Sequence, residues 1–359
     1  MHGRPRQRPG QAPSPLHHQE QAYAVELQKL MPQFLQSNRT CWVFDVGVVC
    51  SYSAEAMNQN ARLLELNPEF YTAWNYRKRA VEEILGREPD EEARKGIAQR
   101  ELDVVVRALR VNYKCYGAWY HRKWVIGLGL SSLDAELVLL KKLLRLDGRN
   151  FHGWDYRRFI VKTKGIPPEE AILFTTDKIN ENFSNYSAWH NRSALLSEIS
   201  KKEGTEINRV QAMLEDEYDF VKNSFYTDPD DQSGWFYYCW LLEQTIALVG
   251  TPGSDVWLMK VLDKEIEACR ELLELESNSK WTKLTLARLL LTHASYNTSS
   301  RKSDTDEART HFEELCSLDP THREYYQYQL SMLSSKELIK DRSSLTTQHE
   351  GSEELQLKS

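Results

Sequence analysis

The sequence predicts an all-α protein, a right-handed superhelical α-solenoid of about seven stacked helical hairpins. Three observations carry that expectation: a repeat built around tryptophan, helical spacing of leucines ahead of each repeat unit, and turn-forming residues between the two. Of ten tryptophans in 359 residues, six recur as Trp74, Trp119, Trp154, Trp189, Trp235 and Trp281, separated by 45, 35, 35, 46 and 46 residues. A period of that length suits one pair of short helices with its connections.

Four segments align without gaps: Asn67 to Arg77 (NPEFYTAWNYR), Asn112 to Arg122 (NYKCYGAWYHR), Asp147 to Arg157 (DGRNFHGWDYR) and Asn182 to Arg192 (NFSNYSAWHNR). Each places Asn or Asp seven residues before Trp, an aromatic three before it and Arg three after it. A fifth copy, Asp228 to Tyr238 (DPDDQSGWFYY), keeps Asp228 and Trp235 but has Gln232 for the aromatic and Tyr238 for the Arg. Weaker sixth and seventh units surround Trp281 and end in DPTHREYYQYQL.

The stretch before each motif reads as the first helix of a hairpin. In LDAELVLLKKLLRLD, Leu133, Leu137, Leu140 and Leu144 follow one another at helical spacing. The Asn or Asp then opens a turn, as in Asn67-Pro68, Asp147-Gly148 and Asp228-Pro229. The second helix carries aromatic, Trp and Arg at i, i+3 and i+6, a stripe expected to tie one hairpin to the next, with the guanidinium near an aromatic face. Thus Trp74, Arg77, Trp119, Arg122, Trp154, Arg157, Trp189, Arg192 and Trp235 are read as packing residues, with the arginines as buried cations held by carboxylates or turn carbonyls. Stacked hairpins bury a face that one hairpin cannot, and the stack is expected to curve and offer a concave, partner-binding side.

Residues 21–333 are assigned to this repeat domain, with motifs around 60–80, 105–125, 140–160, 175–195 and 221–241 and weaker ones at 267–292 and 311–333. Residues 1–20, with Arg4, Arg6 and Arg8 among four prolines, read as a flexible tail. Residues 334–359 are polar and read as a disordered end. Asn297 to Asp306 (NTSSRKSDTD) reads as a loop, and Thr40 to Ser51 (TCWVFDVGVVCS), rich in Val and aromatics, reads as strand against the helical trend. Helix resumes near Ser53, an N-cap ahead of AEAMNQNARLLEL.

Composition excludes several classes. A net charge of −6 with 27% charged residues gives no broad basic footprint for nucleic acid. The six cysteines lie far apart without a Cys-x-x-Cys pair, which fits a reducing, cytoplasmic setting and no zinc site in this chain. No apolar run reaches the roughly 18 to 20 residues of a membrane span. No nucleophile and base, P-loop or GxGxxG fingerprint marks a self-sufficient enzyme. His121 and His152 fall in helical stripes and read as packed or capping histidines.

The repeated YxxWxxR units preceded by Asn or Asp resemble those of protein prenyltransferase α-subunits, whose solenoid is tetratricopeptide-like, and the resemblance covers Ala54 to Leu333. The Met1-His2-Gly3-Arg4 start, RNFHGWDYRRF from Arg149, NFSNYSAWHNRS from Asn182 and DPDDQSGWF from Asp228 look like the Rab-type, type II branch. The resemblance implies an enzyme subunit, inactive alone, in an obligate heterodimer with a β-subunit that holds the zinc and the lipid. Such a dimer transfers geranylgeranyl from geranylgeranyl diphosphate to C-terminal cysteines of Rab GTPases presented by an escort protein.

The resemblance also implies one site. In the second repeat the family directs a Lys, and two residues on a Tyr, at the β-subunit cavity; here these are Lys114 and Tyr116. A Lys ammonium there is able to stabilise the charge gathering on the departing diphosphate. The farnesyltransferase and type I branch, acting on C-a-a-X proteins, places a carboxylate-reading Gln directly after the Tyr, and Gly117 stands here instead. The N-terminal segment of the Rab-type enzymes implies a further role, with His2 as an autoinhibitory zinc ligand. Only 46 residues separate Trp235 from Trp281, so no immunoglobulin-like domain is expected between them, nor leucine-rich repeats after them. The competing reading is a non-catalytic helical-repeat scaffold.

Overall fold

The computed structural model describes residues 22, 24–34, 52–202, 206–249 and 254–335. The 1–20 tail with His2, the stretch 40–51 and residues 336–359 lie outside them, whereas residues 334 and 335, expected in the disordered end, are helical. Within the described residues no strand occurs, and the chain divides into two compact units, Met1–Ile166 and Pro167–Ser359.

The first unit begins with a helical segment, α1, over residues 24–34. Three hairpins follow: α2 (Ala54–Leu66) with α3 (Tyr71–Arg87), α4 (Glu91–Val111) with α5 (Tyr116–Gly127), and α6 (Leu133–Leu146) with α7 (Phe151–Lys164). The second helices stack in succession, α3 on α5 and α5 on α7, while α2 packs on α4. The second unit has four hairpins: α8 (Pro168–Glu181) with α9 (Tyr186–Ser200), α10 (Ile207–Thr227) with α11 (Gln232–Ala247), α12 (Ser254–Leu275) with α13 (Lys280–Tyr296), and α14 (Arg301–Leu318) with α15, residues 323–335. Here α9 packs on α11 and α11 on α13. Each unit is therefore a stack of helical hairpins, the α-solenoid class.

Local chemistry fixes the helix ends. Ser53 caps α2 by accepting the Ala56 amide, as its sequence position suggests. Gly165, at φ 74°, ends α7 in the left-handed region, and Pro168 opens α8. The uneven repeat period has a simple origin: α4 and α10 run for 21 residues where α6 and α8 run for 14. Most of the extra residues lengthen first helices; some fall in second helices such as α3, with 17 residues against 12 in α5, or in connections, and the motif is untouched.

Two expectations change. The Asn297 to Asp306 loop is short, because Arg301 already begins α14. Ser300 and Asp304, part of that polar run, bond each other and His293 at the helix start. Trp281 is also out of register. The sixth hairpin turns at Glu276, whose amide bonds Leu272, and Ser279 caps the next helix. The place four residues beyond the cap, where the motif tryptophans sit, is Lys283, and Trp281 lies two residues ahead of it.

Candidate functional site

The turn between paired helices repeats its backbone hydrogen bonds. In the first five hairpins the amide of Asn67, Asn112, Asp147, Asn182 or Asp228 bonds the carbonyl four residues back, and the third residue on bonds that same Asn or Asp carbonyl. The side chains of Asn112, Asp147, Asn182 and Asp228 accept the amide two residues on. This side-chain turn explains the preference for Asn and Asp.

Each tryptophan locks its own turn. The indole Nε1 of Trp74, Trp119, Trp154, Trp189 and Trp235 donates to the carbonyl of Pro68, Tyr113, Gly148, Phe183 and Pro229 at 2.7–2.9 Å, always six residues earlier. All five rings are buried. A large apolar ring is thus buried with its one donor satisfied.

Three of the motif arginines join one hairpin to the next. Arg77 grips Glu101 on α4 with Nε at 2.6 Å and Nη2 at 2.8 Å, Arg122 grips Glu136 on α6, and Arg192 grips Glu217 on α10. Each carboxylate takes a third bond from the residue that precedes the motif Arg or its equivalent one hairpin later: His121 to Glu101, Tyr156 to Glu136, Tyr237 to Glu217. In the fifth motif Tyr238 replaces Arg and donates to Glu265, which Lys222 also holds. Arg122 lies over Tyr156 and Arg192 over Phe220, as the motif spacing suggests. Burial works to raise the Glu101 carboxyl, but the His121 hydrogen bond and the Arg77 charge hold it below its ordinary range. Burial pushes His121 down, so it donates as a neutral ring from Nε2. Arg157 is half-buried, and desolvation lowers it to about 10.

The aromatic that opens the motif departs from the expected stripe. Tyr71, Tyr116, Phe151 and Tyr186 are half or more exposed, Tyr116 at 61%. At 100° per residue, i and i+6 lie about 120° apart on the helix, so the first position falls at the edge of the face that Trp and Arg bury. The result in each unit is a row of exposed rings along the turns. Tyr116 lies beside Phe151 in one unit, and Tyr186 beside Phe236 in the other.

Lys114 stands in the second turn, exposed, with its ammonium 5.4 Å from the Tyr113 ring centre and in no ion pair among the described residues. Tyr116 follows as the first residue of α5. A third residue, expected only as a packed or capping histidine, lies against both. His152, buried on α7, donates from Nε2 to the Lys114 carbonyl at 3.0 Å and meets the Tyr116 ring edge-on at 4.4 Å between centres. Gly117 is closed as well as bare: a Cβ there would lie 2.9 Å from Trp74 Cδ1. Among the described residues no group of three or more His, Cys, Asp or Glu is arranged to hold a metal, and no helix is long and apolar enough to cross a membrane.

Comparison with known proteins gives consistent answers. The family model for the protein prenyltransferase alpha subunit repeat matches residues 53–84, 98–128, 133–164, 168–199 and 214–245. The chain is 39% identical to geranylgeranyl transferase type-2 subunit alpha 2 of Arabidopsis thaliana over 69% of its length, and 37% identical to the human type-2 subunit alpha over 62%. It spans only 36% and 40% of those two relatives. Against the Candida albicans type-2 subunit alpha it is 28% identical over 80% of this chain and 88% of the relative. A solved structure, Candida albicans protein geranylgeranyltransferase-I complexed with GGPP, shares the fold at a TM-score of 0.64 and 22% identity, covering 86% of this chain and 91% of that one. With five motifs in register, each built on the same indole-to-carbonyl bond, the chain belongs to the protein prenyltransferase α-subunit family.

Proposed function

We propose that this chain is the α-subunit of a Rab-type geranylgeranyltransferase, working in the cytoplasm with a zinc-holding β-subunit on Rab GTPases brought by an escort protein. The observation that carries the reading is the second turn, where Lys114 and Tyr116 stand exposed within a row of rings that nothing covers among the described residues. Buried Trp and Arg need no partner beyond the chain, whereas large exposed aromatics beside a cation suit a protein surface. The names of the relatives support the branch.

In the reaction a substrate cysteine thiolate attacks C1 of geranylgeranyl diphosphate. The S–C bond forms as the C–O bond breaks, and the bonding pair leaves with the diphosphate. Lys114 supplies a preformed positive charge to that leaving group. Zinc is assigned to the β-subunit, as the family resemblance implies. The C-a-a-X alternative is disfavoured at Gly117, which offers no hydrogen-bonding side chain and has Trp74 against the place of one.

Co-expression with a type-2 β-subunit tests this. A stable heterodimer that transfers labelled geranylgeranyl to Rab only when the escort is present is the expected result. No assembly with that subunit, or transfer to C-a-a-X peptides instead, rejects the proposal.

A further inference from the structure

We propose that His152 is a positioning residue, holding Lys114 and Tyr116 in the register that prenyl transfer requires; this rests on the function proposed above. A carbonyl can only accept, so the 3.0 Å contact with the Lys114 oxygen fixes the proton on His152 Nε2. The ring is held from other sides too. It stacks on Trp119 with planes 13° apart, sits 4.0 Å from Phe151 and meets Tyr116 edge-on. Burial pushes its pKa down and Lys123 adds to that, against the Lys114 carbonyl and the carboxylates of Asp155 and Glu69. One side chain of the third hairpin thus fixes the main chain of Lys114 and the ring of Tyr116, both on the second.

The other hairpins separate the general part of this arrangement from the special part. The equivalent of His152 in the fifth hairpin is Ser233, whose hydroxyl donates to Ser184, the equivalent of Lys114, at 3.1 Å. A small hydroxyl therefore suffices to latch one turn to the next. At the turn that carries the lysine a ring stands instead, and it reaches the neighbouring tyrosine as well as the carbonyl. A catalytic cation on an exposed turn needs such support, because an error of about 1 Å in a reacting group can slow chemistry by about a hundredfold.

The test uses the heterodimer with a type-2 β-subunit and single-turnover transfer of geranylgeranyl to Rab with its escort. His152→Phe keeps a ring on Trp119 but removes the donor, and His152→Gln returns a donor at similar reach. The expected result is a rate about tenfold lower for Phe with unchanged KM for both substrates, most of it recovered by Gln, and no further loss when His152→Phe is added to Lys114→Ala. A Phe variant at full rate while Lys114→Ala is slow overturns the positioning role and leaves the proposed function standing. Full rate in Lys114→Ala removes Lys114 from the chemistry and this inference with it. Should His152→Phe fail to assemble, Gln and the shorter Asn decide: Gln faster than Asn supports the role, and equal rates contradict it.

Discussion

Each repeat motif has a buried end and an exposed end, and the two differ in where their partners lie. The five indoles are satisfied within the chain by a carbonyl six residues back, and the guanidiniums of Arg77, Arg122 and Arg192 are each clamped by a carboxylate one hairpin on. Tyr71, Tyr116, Phe151 and Lys114, a few residues away, are left in solvent. Repetition alone therefore does not distinguish stability from function, because the same spacing carries both. Burial does.

The comparison breaks most visibly at its buried end. Glu136→Ala strands the Arg122 guanidinium and the Tyr156 hydroxyl, and should lower unfolding free energy by about 3–5 kcal/mol, measured by circular dichroism in urea; an unchanged midpoint would show the clamp to be idle. At the exposed end Lys114→Ala should slow transfer by roughly 10² to 10³ with no change in that midpoint, since the exposed ammonium lies near the Tyr113 ring and enters no ion pair among the described residues. Equal loss of stability and rate would erase the distinction. Trp154→Phe keeps most of the buried ring but loses the bond to Gly148, so a loss of about 1 kcal/mol is expected. A larger loss would mean that ring shape matters more than the donor.

The smallest effect is with pH. Burial depresses His121 and His152 below the ordinary imidazole value of 6.5, so between the folded and unfolded values the unfolded chain takes up protons that the folded chain refuses. Their contribution is complete above about 6.5 and declines as pH falls through the region below it. Melting temperature should drop from pH 7 to pH 5.5, and less steeply in His121→Gln. Identical slopes would place the acid sensitivity elsewhere.

Much of this was legible in the residues. Tryptophan spacing and turn-forming Asn and Asp give the hairpins, because each depends on neighbours within one turn. The acids did not stand out, yet Glu101, Glu136 and Glu217 each lie eleven residues before a turn Asn or Asp, a period hidden inside helices that already carry many Glu. Trp281 misled through its 46-residue spacing, since counting tryptophans ignores the turn that sets register. The partnership of His152 with Lys114 joins two hairpins across 38 positions, and no local pattern announces it. The exposure of the aromatic row likewise follows from how far around the helix the burial reaches.

The most direct test is the affinity of a type-2 β-subunit for this chain carrying Tyr71→Ala and Tyr186→Ala, both at exposed positions. The account expects binding weaker by at least about tenfold while the melting temperature of the variant chain stays at the wild-type value. Unchanged affinity, or a chain that melts early because those rings were internal supports, would contradict it.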